Sequence, residues 1–174
     1  GTALTVAVLL GAASSAMWTY GRAILVDTGG SSQRGTIVAW IMIGIGGAAV
    51  ALTATPLARW SARSAWTLSC GTMTVGILLV AAAPGQMAIA LVGCLFFGWG
   101  FTSATSALIA WTSTIDAARS AAGTALLFIA LMFGQALGAT ALGAVITGVG
   151  YGVAFVVAAV LSSVSIVVSA LDRT

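Results

Sequence analysis

From Ser120 to Gly148 the chain carries no charged residue, and Gly123, Gly134, Gly138 and Gly143 recur through the run. A bilayer core about 30 Å thick takes roughly 20 apolar residues of helix, so this stretch spans one with a tilt or with an end outside the hydrocarbon. Backbone groups at that depth must bond to one another, which leaves helix as the form the stretch can take. Arg119 marks one mouth of the span. Gly134 and Gly138 form a Gly-x-x-x-Gly pair that admits a neighbouring backbone closely, where lipid supplies no hydrophobic drive between helices. Gln135 stands between them. Its amide needs a partner on another helix, in a wet cavity or on a solute, so helix glue and a place on a solute path are both open readings.

Composition extends that conclusion to the whole chain. Sixty per cent of residues are hydrophobic, 5% are charged and the mean hydropathy is +1.16, against about 25% charged residues in soluble domains. There is no Lys, Glu, His or Asn, and the net charge of +3 comes from six Arg and three Asp. The arginines stand singly between apolar runs, the pattern of topology determinants rather than of a nucleic-acid footprint. Cys70 and Cys94 lie inside apolar runs and read as small hydrophobes. No residue pattern calls for a metal or cofactor. The chain opens on Gly1, and its first run lacks a basic leader, so it reads as a piece of a longer protein rather than as a signal peptide followed by a domain.

Six spans follow: about 2–26, 35–53, 65–83, 87–110, 120–147 and 151–170. The breaks between them are the polar cluster from Asp27 to Arg34, the Pro56 to Arg63 segment, Pro84-Gly85-Gln86, Thr112 to Arg119, and Gly148 to Gly150, each rich in turn residues. Under strict alternation Arg59, Arg63, Arg119 and Arg173 share one side, and Arg22 and Arg34 the other. The excess of arginine predicts that the first side, with both termini, is cytoplasmic. Trp60, Trp66 and Trp111 fall on that side, where a headgroup belt is expected. Spans two and five align as GTIVAWIMIGIG from Gly35 and GTALLFIALMFG from Gly123, sharing Gly-Thr, an aromatic at the sixth place, Ile41 with Ile129, and the closing glycine. Such a repeat makes two three-helix units, and because three is odd the second is inverted relative to the first, as in nested transporter repeats.

The order of spans, the PLARWSAR loop after span two, the DAARSAAG approach to span five and its GQALG centre resemble the carboxy-terminal half of a major facilitator superfamily transporter, over the whole chain. The resemblance implies helices seven to twelve of that fold. Spans one and four would line the solute path, two and five would flank it, and three and six would face lipid. It implies transport of a small organic solute by alternating access, with an amino-terminal half or a second copy of this chain as partner, in the inner membrane of the cell. Leu57, Arg59 and Arg63 match the family's cytoplasmic signature Gly-x-Leu-x-Asp-Arg-x-Gly-Arg-Arg, whose aspartate has no counterpart here; keeping the loop inside by charge is the plainer role of the two arginines. Ala139 stands where the family's glycine-rich helix carries proline.

With spans one and four as the expected path, helical geometry nominates residues on each. Gly11, Ser15, Trp18 and Arg22 recur at intervals of four, three and four on span one, and Trp99, Thr102, Ser103 and Ser106 share a face of span four. Arg22 suits an anionic group and Trp18 a flat or cationic one. An arginine snorkelling to the headgroups and hydroxyls bonded one turn back are the alternatives. Trp40 reads as an interface anchor. None of Asp27, Asp116 and Asp172 lies deep in a span, so a proton-relay acid would belong to the partner half. Without His a serine protease triad cannot form, and the chain reads as no enzyme. A non-transporting six-helix subunit or a channel is the alternative.

Overall fold

The computed structural model describes residues 1–57, 59–115 and 117–171, with the side chains of 112–117 left aside. Asp116, Asp172 and Arg173, read above as loop and tail residues, lie outside the described set. All the regular structure among the described residues is helical: α1 Thr2–Ala23, extended by a π-helical turn Ile24–Thr28, α2 Gln33–Leu57, α3 Ala62–Ala82, α4 Met87–Ile115, a short 3-10 turn Ala117–Arg119, α5 Ser120–Val149 and α6 Tyr151–Leu171. Each of the six spans is long and apolar enough to cross a membrane, as the sequence predicts.

The boundaries follow local chemistry. Ser61 caps α3 by accepting the Ser64 N–H at 3.1 Å, satisfying one of the free donors of the first turn. Ala83 ends α3 at φ −142°, ψ 54°, because the ring of Pro84 excludes the helical region from the residue before it. Gly150, at φ 93°, makes the tight break between α5 and α6 in a conformation that favours glycine. Two expectations shift. Pro56 is read from sequence as a turn, but α2 continues one residue past it to Leu57. Helix α4 likewise runs on to Ile115, through the start of the segment read as a loop from Thr112.

The helices form two layers. In the front layer α5 crosses α1 and α2 crosses α4; behind it α3 and α6 pack on each other, α3 against α4 and α6 against α1. Exchanging α1 with α4, α2 with α5 and α3 with α6 maps these partnerships onto one another. Each front-layer crossing is built on a pair of glycines. A Cβ on Gly11 would strike the Leu131 carbonyl oxygen and one on Gly134 the Val8 carbonyl oxygen; on Gly46 it would strike the Leu95 oxygen, and on Gly98 the Ile43 oxygen. Every one of the four faces the carbonyl three residues before its partner glycine. Gly46 and Gly134 are the closing glycines of the two aligned segments. Both crossings are parallel, because Val8 and Ala12 of α1 meet Gly134 and Gly138 of α5 in the same order.

Gly29 packs on the Pro84 carbonyl, and the Tyr151 hydroxyl donates to the Asp27 carboxylate at 2.7 Å. The α1–α2, α3–α4 and α5–α6 connections therefore gather at one end. The opposite end holds Gly1, Arg59, Arg63 and Arg119. One aromatic departs from the belt expected there. Trp66 is fully buried, and its indole N–H donates to the Ser165 carbonyl at 3.4 Å across the α3–α6 seam; a ring with a bonded N–H can enter the core instead of the headgroups.

Replacing Gly46 by Ala should cost about 1–3 kcal/mol, the usual range for overpacking, because the methyl meets backbone rather than a movable side chain. Gly44→Ala, two residues away and facing open space, should leave stability equal or raised. Unfolding titrations in mixed detergent micelles read both.

Candidate functional site

The α1 stripe meets different surroundings along its length. Gly11 and Ser15 are buried under α5, and the Ser15 hydroxyl donates to the Ala12 carbonyl at 2.7 Å while lying against Gly138. At the level of Tyr20 a phenol bridges the two helices, its hydroxyl donating to the Ala139 carbonyl at 2.7 Å. Beyond the crossing the stripe opens: Trp18 is 38% exposed, and Thr19 and Arg22 are exposed. Ser15 is thus a helix contact, whereas Trp18 and Arg22 stand on free surface. Sequence spacing places all four on one face but cannot say where the neighbouring helix stops covering it.

Trp18 is the hub of an aromatic cluster. It stacks on Trp40 of α2 with centroids 5.7 Å apart at 19°, and meets Phe97 and Phe101 of α4 edge to face at 5.4 and 5.5 Å. Phe97 and Phe101 stack on each other at 5.9 Å. Such pairs contribute about 0.5–1.5 kcal/mol each beyond area burial. The cluster ties α1, α2 and α4 together while leaving Trp18 accessible. Trp40, read from sequence as an interface anchor, is a half-buried member of this wall, and Phe101 carries no sequence signal beyond lying on a helix expected near the path.

Arg22, one turn beyond Trp18, shares the lining of a cavity of about 10 Å³ with Thr36, Trp40 and Cys94, large enough for one water. Among the described residues its guanidinium has no ion-pair or hydrogen-bond partner. The nearest carboxylate along the chain, Asp27, accepts the Tyr151 hydroxyl. The π-helical turn Ile24–Thr28 begins two residues after Arg22, and such widened turns occur frequently at functional sites. The wall therefore combines aromatic faces with a free cation, suited to holding a flat organic solute.

The α4 stripe turns elsewhere. Trp99 donates its indole N–H to the Thr53 hydroxyl of α2 at 3.0 Å, and Thr102 packs beside Gly47. Ser103 and Ser106 line a cavity of about 380 Å³ between α2, α3 and α4. These four residues face α2 and the gap between α2 and α3, away from Trp18. The side of α4 that meets α1 and α5 carries Phe97, Phe101, Thr105 and Leu108 instead. Sequence periodicity groups residues by face without fixing which neighbour the face meets, so the hydroxyl stripe is not brought together with the α1 site.

Gln135 acts as a clasp. Its amide N–H donates to the Ser14 hydroxyl at 3.2 Å, one turn along from the Gly11–Gly134 contact, and the Ser14 hydroxyl itself donates to the Gly11 carbonyl at 2.9 Å. Leu57 ends α2 and borders the cavity near Ser103. Arg59 is exposed in the following turn, its N–H on the Pro56 carbonyl at 3.2 Å. Arg63 begins α3 beside a shallow groove with Trp60, Ser64 and Ala170. No group of three or more metal-ligating side chains occurs among the described residues.

A double-mutant cycle of Gln135→Leu with Ser14→Ala should return a coupling of about 0.6 kcal/mol, the average for hydrogen bonds between membrane helices, measured by detergent unfolding. A coupling indistinguishable from zero would remove the clasp. Comparison with protein-family models gives no match, and comparison with the curated proteins gives none either.

Proposed function

We propose that this chain is one half of a secondary transporter of the major facilitator type, moving a small organic solute by alternating access, with Trp18, Arg22, Trp40 and Phe101 forming its wall of the solute path. The observation that carries the reading is the internal exchange symmetry. Two three-helix units repeat their partnerships, and the glycines at the two parallel crossings, Gly46 and Gly134, close the two aligned sequence segments. Inverted three-helix repeats that rock about a central site are a transporter architecture. The site supports it further, because Arg22 lies within the first span without a partner among the described residues, and an ionisable side chain in a span is expensive unless it faces a partner, a cavity or a solute.

On this reading Arg59, Arg63 and Arg119 mark the cytoplasmic side of the inner membrane and both termini lie there. The second wall comes from an amino-terminal half or from another copy of the chain. Trp18, Arg22, Trp40 and Phe101 replace the α4 hydroxyls as the residues that contact solute, and Gln135 borders the path as a structural clasp. The chain acts as a carrier, not an enzyme.

Reconstituted alone at a protein-to-lipid ratio that keeps chains apart, the 174 residues should show no saturable solute flux, and co-expression with an amino half should restore it. Saturable uptake by isolated monomers would refute the half-transporter reading and favour a channel or complete carrier. Orientation is tested separately with single cysteines at Ser61 and Ser31 in a background lacking Cys70 and Cys94. An impermeant thiol reagent added to intact cells should label position 31 and spare position 61; the reverse pattern would invert the topology.

A further inference from the structure

The exchange symmetry is incomplete. Helix α5 packs on α6, but their counterparts α2 and α3 make almost no contact, and the cavity of about 380 Å³ occupies that gap at the arginine-bearing end. Its wall includes Ala54 and Leu57 of α2, Ala65 of α3, Ser103 and Ser106 of α4, and Trp60, with no charged side chain among the described residues. The volume falls within the range of small-molecule pockets.

Ser103 sharpens the question of what belongs there. It is 1% exposed, and its Oγ is the one buried side-chain oxygen or nitrogen among the described residues without a hydrogen-bond partner. Neighbouring hydroxyls on the same helix bond back to carbonyls: Ser106 and Thr105 both donate to the Thr102 carbonyl, at 2.9 and 2.8 Å. An unmet buried hydroxyl is costly and calls for an explanation. Ser106, its proton committed to Thr102, keeps lone pairs to accept with; Ser103 can both donate and accept. The two lie three residues apart and so share a helix face.

We infer that the α2–α3–α4 cavity is a second binding site, for a neutral apolar molecule carrying one hydroxyl, an alcohol or phenol, whose oxygen accepts from Ser103 and whose proton goes to Ser106. Among the described residues the lining offers an ion no counter-charge, and Trp60 at the wall supplies an aromatic face for a ring. The site lies across α4 from the Trp18 wall, and its existence does not depend on the transport reading.

The test uses 4-bromophenol, a tryptophan quencher of the right chemistry, with bromobenzene as the partner lacking the hydroxyl, on the full chain in lipid nanodiscs. The Trp60 signal is the difference between wild type and Trp60→Phe. Wild type should show saturable quenching of Trp60 by 4-bromophenol. Ser103→Ala should weaken that binding about tenfold, the loss of one hydrogen bond, and leave bromobenzene unchanged. Ala54→Phe, made at an exposed lining position, should abolish the saturable phase for both probes with the protein still folded by circular dichroism. Quenching that rises linearly and equally in all variants would mean partition into lipid and would overturn the site. Unchanged 4-bromophenol affinity in Ser103→Ala would overturn the assigned hydrogen bond, and quenching by a brominated phospholipid that 4-bromophenol cannot displace would assign the cavity to an acyl chain instead.

Discussion

Backbone meeting backbone at two parallel helix crossings is the constraint on which the rest of this fold depends. In lipid, apolar side chains gain little by leaving their surroundings, so association rests on close packing and on hydrogen bonds. Gly11 against Gly134 and Gly46 against Gly98 let main chains approach until each glycine faces a carbonyl oxygen of its partner, a distance at which Cα–H···O contacts add to dispersion. A larger residue at any of the four positions would separate the helices and move everything mounted on them, Trp18 included, because that ring reaches across from α1 to Trp40 and Phe101 just beyond the crossing.

Sparse polar contacts set the register of that packing. Each front-layer crossing carries one clasp from the residue after a contact glycine: Gln135 to Ser14 on one, Trp99 to Thr53 on the other. Behind them the α3–α6 seam is held by Trp66 on the Ser165 carbonyl and by the Thr74 hydroxyl donating to Ser162 at 2.8 Å. Most remaining hydroxyls bond to carbonyls one turn back, which removes them from circulation. Ser103 departs from that pattern, and Arg22 has no partner among the described residues. Departures from a locally consistent pattern are where function is expected to concentrate.

The two halves of the chain are alike in their crossings and unlike in their side chains. The contact that α1 and α2 make through Trp18 and Trp40 has a counterpart where α4 and α5 meet around Thr105, Leu108 and Phe128, and Trp40 and Phe128 hold the same place in the aligned segments. One side is aromatic and polar, the other apolar. A repeated backbone thus carries two different surfaces, and the unequal packing of α2 on α3 and of α5 on α6 adds a cavity on one side alone.

What the sequence determined by itself was the existence, number and approximate ends of the spans, because bilayer thickness and the need to bond the backbone internally act on single segments. It also carried the repeat, since Gly46 and Gly134 occupy matching places, and it marked Gln135 as needing a partner. Which residues face one another was decided only by the tertiary structure. Trp66 was legible as an amphipathic ring, but only the α3–α6 seam made it core. Ser15 and Trp18 share a stripe, but only the extent of the α5 crossing buried one and exposed the other. Ser103 and Ser106 were legible as a hydroxyl face of α4, and only the placement of α2 and α3 turned that face away from α1. The physical reason is that helical periodicity orders residues around one axis, whereas the rotation and crossing of one axis against another depend on contacts between residues far apart in the chain.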